Sequence, residues 1–241
     1  RQSCIRDRIC TLCPRMCAVD RKSGERGICG QTTEIKVARA ALHFWEEPCI
    51  SGEMGSGAVF FSGCALHCVF CQNENIANGT AGKVISTERL GEIFLELQEK
   101  GADNINIVTP GQFVPQIIKA VELARNQNLK IPIVYNTSSY ENVDTIRSLE
   151  GIVDIYLPDF KYFDTALSAK YSHAPDYPAV AKAVIAEMVR QTGAAVFENG
   201  EDSLMKRGTI VRHLILPGCT KDSKAVLKYL HETYENQIYI S

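Results

Sequence analysis

Three cysteines stand within eight residues in the run Cys64-Ala65-Leu66-His67-Cys68-Val69-Phe70-Cys71. Thiolates are soft ligands, and three of them converging from one loop can hold an inorganic centre. A [4Fe-4S] cluster held by three thiolates keeps one iron without a protein ligand, open to substrate or cofactor. A zinc ion with three thiolates and a water, or with His67 as fourth ligand, uses the same residues. Thiols crowded together without a metal invite oxidation, which argues against a bare group of core cysteines.

A second set lies upstream, at Cys10, Cys13, Cys17 and Cys29, with Gly24, Gly27 and Gly30 available for tight turns. Four thiols close a tetrahedral zinc shell or hold an auxiliary [4Fe-4S] cluster, and ligand softness does not choose between them. Such a shell has no vacancy for substrate, so this quartet is expected to be a metal site structurally separate from the three-cysteine loop, with a structural or electron-relay role. Cys4, Cys49 and Cys219 have no partner by spacing and read as inert small hydrophobes.

The elements that must position these thiols can be read from periodicity. Residues 57–62 form a short buried strand leading into the three-cysteine loop. Ser86 caps a helix running to Lys100, with Leu90, Ile93 and Leu97 on one face. A strand over 104–109, a helix over 113–127, a strand over 131–136, a short helix to Leu149 and a strand over 152–157 follow. Residues 164–192 are helical with breaks near Pro175 and Pro178, and 194–208 form a hairpin around Asn199-Gly200. A strand over 209–216, a helix over 223–234 and a strand over 237–240 complete the chain. Strands alternating with helices imply right-handed βαβ units. The expected fold is α/β, an open partial (β/α)6 barrel (residues 51–241) with its site at the carboxyl ends of the strands, preceded by a small, loop-rich, Cys-rich N-terminal appendage (residues 1–50). The aromatic group His43-Phe44-Trp45 is expected to pack the appendage onto the barrel.

The C-x3-C-x2-C loop, with Phe70 before its last cysteine and a strand before its first, resembles the radical S-adenosylmethionine (radical SAM) superfamily. Within it, Cys10-Thr11-Leu12-Cys13-Pro14-Arg15-Met16-Cys17, Glu46-Glu47-Pro48-Cys49-Ile50-Ser51-Gly52, Phe60-Phe61-Ser62-Gly63-Cys64 and Cys71-Gln72-Asn73 resemble the pyruvate formate-lyase activating-enzyme-like branch with an N-terminal Cys-rich extension. The resemblance implies that Cys64, Cys68 and Cys71 hold a [4Fe-4S] cluster whose open iron chelates SAM. It further implies an oxidoreductase that cleaves SAM reductively to a 5′-deoxyadenosyl radical, with a reduced flavodoxin- or ferredoxin-type electron donor.

The same resemblance points to Phe70, Thr109, Asn136, Thr137, Asp159, Lys161 and Arg212 as cofactor contacts. Members commonly carry Gly-Gly-Glu after the second strand, whereas this chain reads Val108-Thr109-Pro110-Gly111-Gln112, so Thr109 supplies an oxygen there instead. Asn136 stands where the family has an aspartate of a monovalent-cation site, one charge short. Arg212 and His213 interrupt an apolar strand on opposite faces. Arg212, with its bidentate guanidinium, is assigned to the cofactor, and His213 to a satisfied core position.

With 26 Lys and Arg against 28 Asp and Glu, the net charge of -2 gives no overall attraction to nucleic acid or anionic membrane. No apolar run approaches a membrane span and no basic-then-apolar leader precedes the first cysteine, so a soluble, cytoplasmic protein is expected. The leading functional expectation is activation of a glycyl radical enzyme. Radical modification of another peptide or small molecule, and a non-catalytic iron-sulfur electron-transfer module, are the alternatives.

Overall fold

The structure is a computed structural model and describes residues 9–199 and 203–241. Its centre is β2 (Ser56–Phe61), a strand without a charged residue and buried on both faces. From β2 the sheet runs through β4 (Ile105–Val108), β5 (Ile133–Thr137), β6 (Ile155–Pro158) and β8 (Met205–Val211) to β9 (Tyr239–Ile240), each parallel to the last. These are the six expected strands, in the expected chain order. On the other side of β2, β1 (Ile35–His43) and β3 (Lys83–Ile85) add antiparallel, and β7 (Val196–Phe197) pairs antiparallel with β8.

Alternation along the strands divides two environments. Val59, Phe61, Ile105, Ile107, Ile133, Tyr135 and Tyr156 face a large core, packed against α3 (Thr87–Glu99), α4 (Val114–Asn126) and α7 (Tyr177–Thr192). Val134, Ile155, Leu157 and Ile210 face the other way, into a smaller cluster with Ile50 of α1 (Pro48–Ser51). The period of two therefore puts Asn106, Asn136 and Arg212 on that second face, at and beyond the edge of the small cluster.

Helix α3 forms as its sequence directs. The Ser86 hydroxyl accepts from the Arg89 N–H at 3.0 Å, and Leu90, Phe94 and Leu97 bury one stripe. Helix α7 starts with Pro178 in its first turn, and α6 (Thr165–Ser172) precedes it, so the expected break lies between them. Short α2 (Glu74–Ala77) and α5 (Val143–Arg147), and α8 (Thr220–Tyr234), complete the helices. No helix among the described residues is long and apolar enough to cross a membrane.

Three expectations change. Residues 1–50 are not loop-rich throughout: β1 spans nine of them and pairs with β2 in the main sheet. The alternation of Ile35 and Val37 with Lys36 was the overlooked signal. The strand expected at 209–216 is instead 205–211, because β6 ends at Pro158 and pairing survives past it only as an Asp159–Arg212 bridge. Leu214 and Ile215, read as strand, stand 50% and 62% exposed on the following loop. Finally, Trp45 does not pack the N-terminal segment down, being 89% exposed. The hairpin over 194–208 is present as the β7–β8 pair, while Gly200 and Cys4 lie outside the described residues.

Candidate functional site

The carboxyl ends of β2, β4, β5, β6 and β8 open onto one cleft of about 630 Å³. Its wall includes Cys64, Cys68 and Cys71 together with Phe70, Thr109, Asn136, Thr137, Asp159, Lys161 and Arg212. Every residue expected to contact the cofactor thus lines the cleft that holds the three thiols.

The cysteine loop leaves β2 through Gly63 at φ +88°, where a Cβ would collide with the Cys29 carbonyl oxygen. Gln112 Nε2 donates to the carbonyls of Ser62 (2.9 Å), Gly63 (3.1 Å) and Thr109 (2.9 Å), tying the loop to the end of β4. Thr109 itself has φ +55°, left-handed backbone that a β-branched residue rarely adopts and that marks strain at a functional site. Ser172 Oγ donates to Cys68 Sγ at 3.0 Å, and the Leu66 N–H points at Cys64 Sγ at 3.4 Å. His67 Nε2 meets the Ile28 carbonyl oxygen at 3.0 Å, which commits that nitrogen to the N-terminal segment and away from a fourth-ligand role.

Arg212 organises the cleft floor. Its Nε donates to Asp159 Oδ1 (3.0 Å), its Nη1 to Glu46 Oε1 (3.1 Å) and its Nη2 to Asn136 Oδ1 (2.7 Å). Lys161 Nζ takes the other Asp159 oxygen at 2.6 Å. Burial pushes the Asp159 pKa up, but Lys161 and Arg212 outweigh it and hold the carboxyl below its ordinary range. Burial pulls Lys161 down, while Asp159 and then Cys68 raise it above the usual lysine value. Both Asp159 oxygens thus accept from cationic donors.

Glu46 is the residue to which sequence reasoning gave no role. It is partly buried between Arg212, Asn106 Nδ2 (2.6 Å) and Asn136 Nδ2 (3.5 Å), and burial raises its pKa against the pull of Arg212. Its place in an acidic Glu46-Glu47-Pro48 run was visible in sequence, but its partner is 166 residues away. His213, expected to be satisfied, has Nδ1 at 2.7 Å from the Phe160 carbonyl oxygen, but its buried Nε2 has no partner among the described residues.

A family model for the radical SAM superfamily matches residues 58–230. The chain belongs to the radical SAM superfamily. The uncharacterized protein MJ0674 of Methanocaldococcus jannaschii is 25% identical over 240 residues, which is 95% of this chain and 63% of that relative. The chain therefore spans somewhat under two thirds of the curated relative's length.

The radical SAM family implies a [4Fe-4S] cluster and SAM, and the donor set fits both. Burial pushes the Cys64 thiol up to about 11 and also raises Cys68 above its usual value, and a bound cation displaces such protons. Among the described residues no three His, Cys, Asp or Glu side chains gather as a ligand set for a single ion. A cubane makes a different demand, since each thiolate binds its own iron around a larger body. For SAM, the charged and amide groups of the cleft floor stand beside those thiols, and the adjoining strand ends supply backbone polar groups.

The quartet is not remote from this radical SAM site. Cys10, Cys13 and Cys29 line a small cavity of about 30 Å³ together with Cys64 and Glu141. Residues 9–31 fold over the cysteine loop, with Arg15 bonded to the Ala65 carbonyl and His67 Nε2 at the Ile28 carbonyl oxygen.

Proposed function

We propose that this protein is a radical SAM oxidoreductase that activates a glycyl radical enzyme, with the strands and helices of residues 51–241 serving as a partial (β/α)6 barrel. The observation that carries the radical chemistry is the convergence of Cys64, Cys68 and Cys71 with Asp159, Lys161 and Arg212 on one cleft. When bound, the cluster and SAM supply a 5′-deoxyadenosyl radical that abstracts a hydrogen atom.

The chain's own residues bind and orient. Cys64, Cys68 and Cys71 would hold the cluster. Phe70, against Tyr162 at 6.3 Å between ring centroids, shields the loop from water. Thr109, Asn136 and Thr137 present polar groups at the ends of β4 and β5, and the Asp159–Lys161–Arg212 set fixes charge opposite them. Arg212 holds Asp159, Glu46 and Asn136 through one N–H of each of its three nitrogens, and the second N–H groups of Nη1 and Nη2 are left to meet a carboxylate of SAM.

The glycyl radical target is supported by the resemblance of the Cys10–Cys17 and Glu46–Gly52 segments to the activating-enzyme-like branch. Trp45 and Leu214, both exposed and apolar at the cleft mouth, suit a protein segment as substrate. The electron donor is proposed to be of reduced flavodoxin or ferredoxin type. Radical modification of another peptide uses the same cleft, and the two readings part at the identity of the acceptor.

The test is anaerobic reconstitution with dithionite, SAM and a candidate glycyl radical enzyme, followed by electron paramagnetic resonance. A glycyl radical on the partner with equimolar 5′-deoxyadenosine supports activation. 5′-Deoxyadenosine without a radical on any glycyl enzyme moves the reading to another acceptor. No SAM cleavage by iron-loaded protein leaves only the electron-transfer module.

A further inference from the structure

Glu46 reaches the cleft floor from a short loop that is pinned at both ends. On the upstream side, His43 is paired with Ser56 across β1 and β2. On the downstream side the loop enters α1, whose Ile50 carbonyl accepts from Asn104 Nδ2 at 2.6 Å, at the foot of β4. Ser51 Oγ donates back to the His43 carbonyl at 3.4 Å and closes the loop on itself. Trp45 points out to solvent, while Glu46 turns inward to Arg212. The carboxylate therefore comes to the guanidinium from a fixed direction.

Both oxygens of that carboxylate serve protein donors. Oε1 accepts from Arg212 Nη1 at 3.1 Å, and Oε2 accepts from Asn106 Nδ2 at 2.6 Å and from Asn136 Nδ2 at 3.5 Å. Asn136 returns to Arg212 through Oδ1, which accepts from Nη2 at 2.7 Å. Glu46 thus holds Nη1 directly and Nη2 through Asn136, while Asp159 holds Nε at 3.0 Å. A guanidinium is planar, and its fork makes two parallel bonds to a carboxylate only when that plane is set. Arg212 keeps its charge, and Asp159 as counter-ion, with or without Glu46. What Glu46 adds is direction.

We propose, resting on the reading of the cleft as a SAM site with Arg212 at the cofactor's carboxylate, that Glu46 is a positioning residue. It sets the plane of the Arg212 guanidinium so that the remaining Nη N–H groups meet that carboxylate. Its effect is confined to ligands that carry the carboxylate, and it depends on the reach of the side chain more than on its charge.

The test measures, by calorimetry on iron-loaded protein, the affinity for SAM and for decarboxylated SAM, which keeps the adenosine, the sulfonium and the amine and lacks only the carboxylate. Wild type is expected to prefer SAM. Glu46→Asp keeps the charge but withdraws it by one methylene, whereas Glu46→Gln keeps the reach and drops the charge. Asn106, whose buried Oδ1 has no partner among the described residues, can turn its amide over to accept from the glutamine N–H. Glu46→Asp should lower the preference for SAM about tenfold, the measure of one charge-assisted hydrogen bond, with iron content and affinity for decarboxylated SAM unchanged. Glu46→Gln should keep most of the preference. Glu46→Ala should match Glu46→Asp and stands in for it if that variant does not fold, as circular dichroism will show.

A preference kept by Glu46→Asp overturns the proposal. Equal weakening of both ligands assigns Glu46 to structure alone, and a loss in Glu46→Gln as large as in Glu46→Asp assigns it to charge; either overturns the proposal too. In an Arg212→Ala background, Glu46→Asp should change the preference no further, and an added loss would show Glu46 acting without Arg212. Failure of the underlying reading is distinguishable. Wild type without a preference for SAM, or Arg212→Ala with an undiminished one, takes the cofactor's carboxylate away from Arg212, and the proposal falls with it.

Discussion

Arg212 spends all three sides of its guanidinium on protein acceptors, Asp159, Glu46 and Asn136, in a partly buried floor. With Lys161 it balances the two carboxylates, so removing it leaves Glu46 and Asp159 facing each other with one cation. Loss of one partner from such a network costs about 3 kcal/mol. Arg212→Ala is expected to lower unfolding free energy by about that amount and to weaken SAM binding, with iron content unchanged. Arg212→Lys should recover only part of either, because a single ammonium cannot reach three acceptors. Denaturant titration and calorimetry with SAM measure both. A variant as stable as wild type would show that the floor does not depend on the guanidinium.

Helix α7 carries a second charge network, away from the cleft. Glu187 is 7% exposed and accepts from Arg190 and Gln191, while Gln191 also takes the Tyr156 hydroxyl and donates to the Ile146 carbonyl. The Arg190 hydrogen bonds, outweighing burial, hold Glu187 below its ordinary range. A depressed carboxyl stabilises the fold above its unfolded pKa and loses that contribution as pH falls through the folded value. Glu187→Gln is therefore expected to destabilise at pH 7 and to match wild type at pH 3. Urea midpoints at the two pH values check this, and an equal deficit at both would assign the effect to packing. On α3, Ser86→Ala removes the cap to Arg89 and should cost about 1 kcal/mol.

At the scale of the molecule, the N-terminal segment is held over the cleft by contacts that skip most of the chain. Asn142 Nδ2 donates to the Thr11 carbonyl at 2.6 Å, Thr145 Oγ1 to that of Leu12 at 2.8 Å, and Lys36 Nζ to those of Gly79 (2.9 Å) and Thr80 (3.0 Å). At Gly63 that segment lies so close to the cysteine loop that a Cβ would meet the Cys29 carbonyl and the Gln31 side chain. A ligand that binds only the native state raises stability by about 2.7 kcal/mol at a hundred times its dissociation constant. SAM is expected to give such a shift in iron-loaded protein and little in protein stripped of iron, since the open iron is its anchor. Thermal melts of the two forms decide this, and equal shifts would place SAM in the cleft without help from the cluster.

The sequence by itself determined what depends on near neighbours and on period. Thiol spacing marks Cys64, Cys68 and Cys71, the cap at Ser86 starts α3, and six apolar strands separated by helices can join in chain order only as a parallel sheet. Only the tertiary structure decided what those neighbours meet. β1 joins the sheet because β2 offers it a free edge, and the strand after 205 stops at Val211 because β6 turns away at Pro158. Glu46 finds Arg212, and the quartet finds Cys64, through the packing of distant segments against one face. Such meetings leave no local trace, because burial and charge pairing act between residues that approach only after the chain has folded.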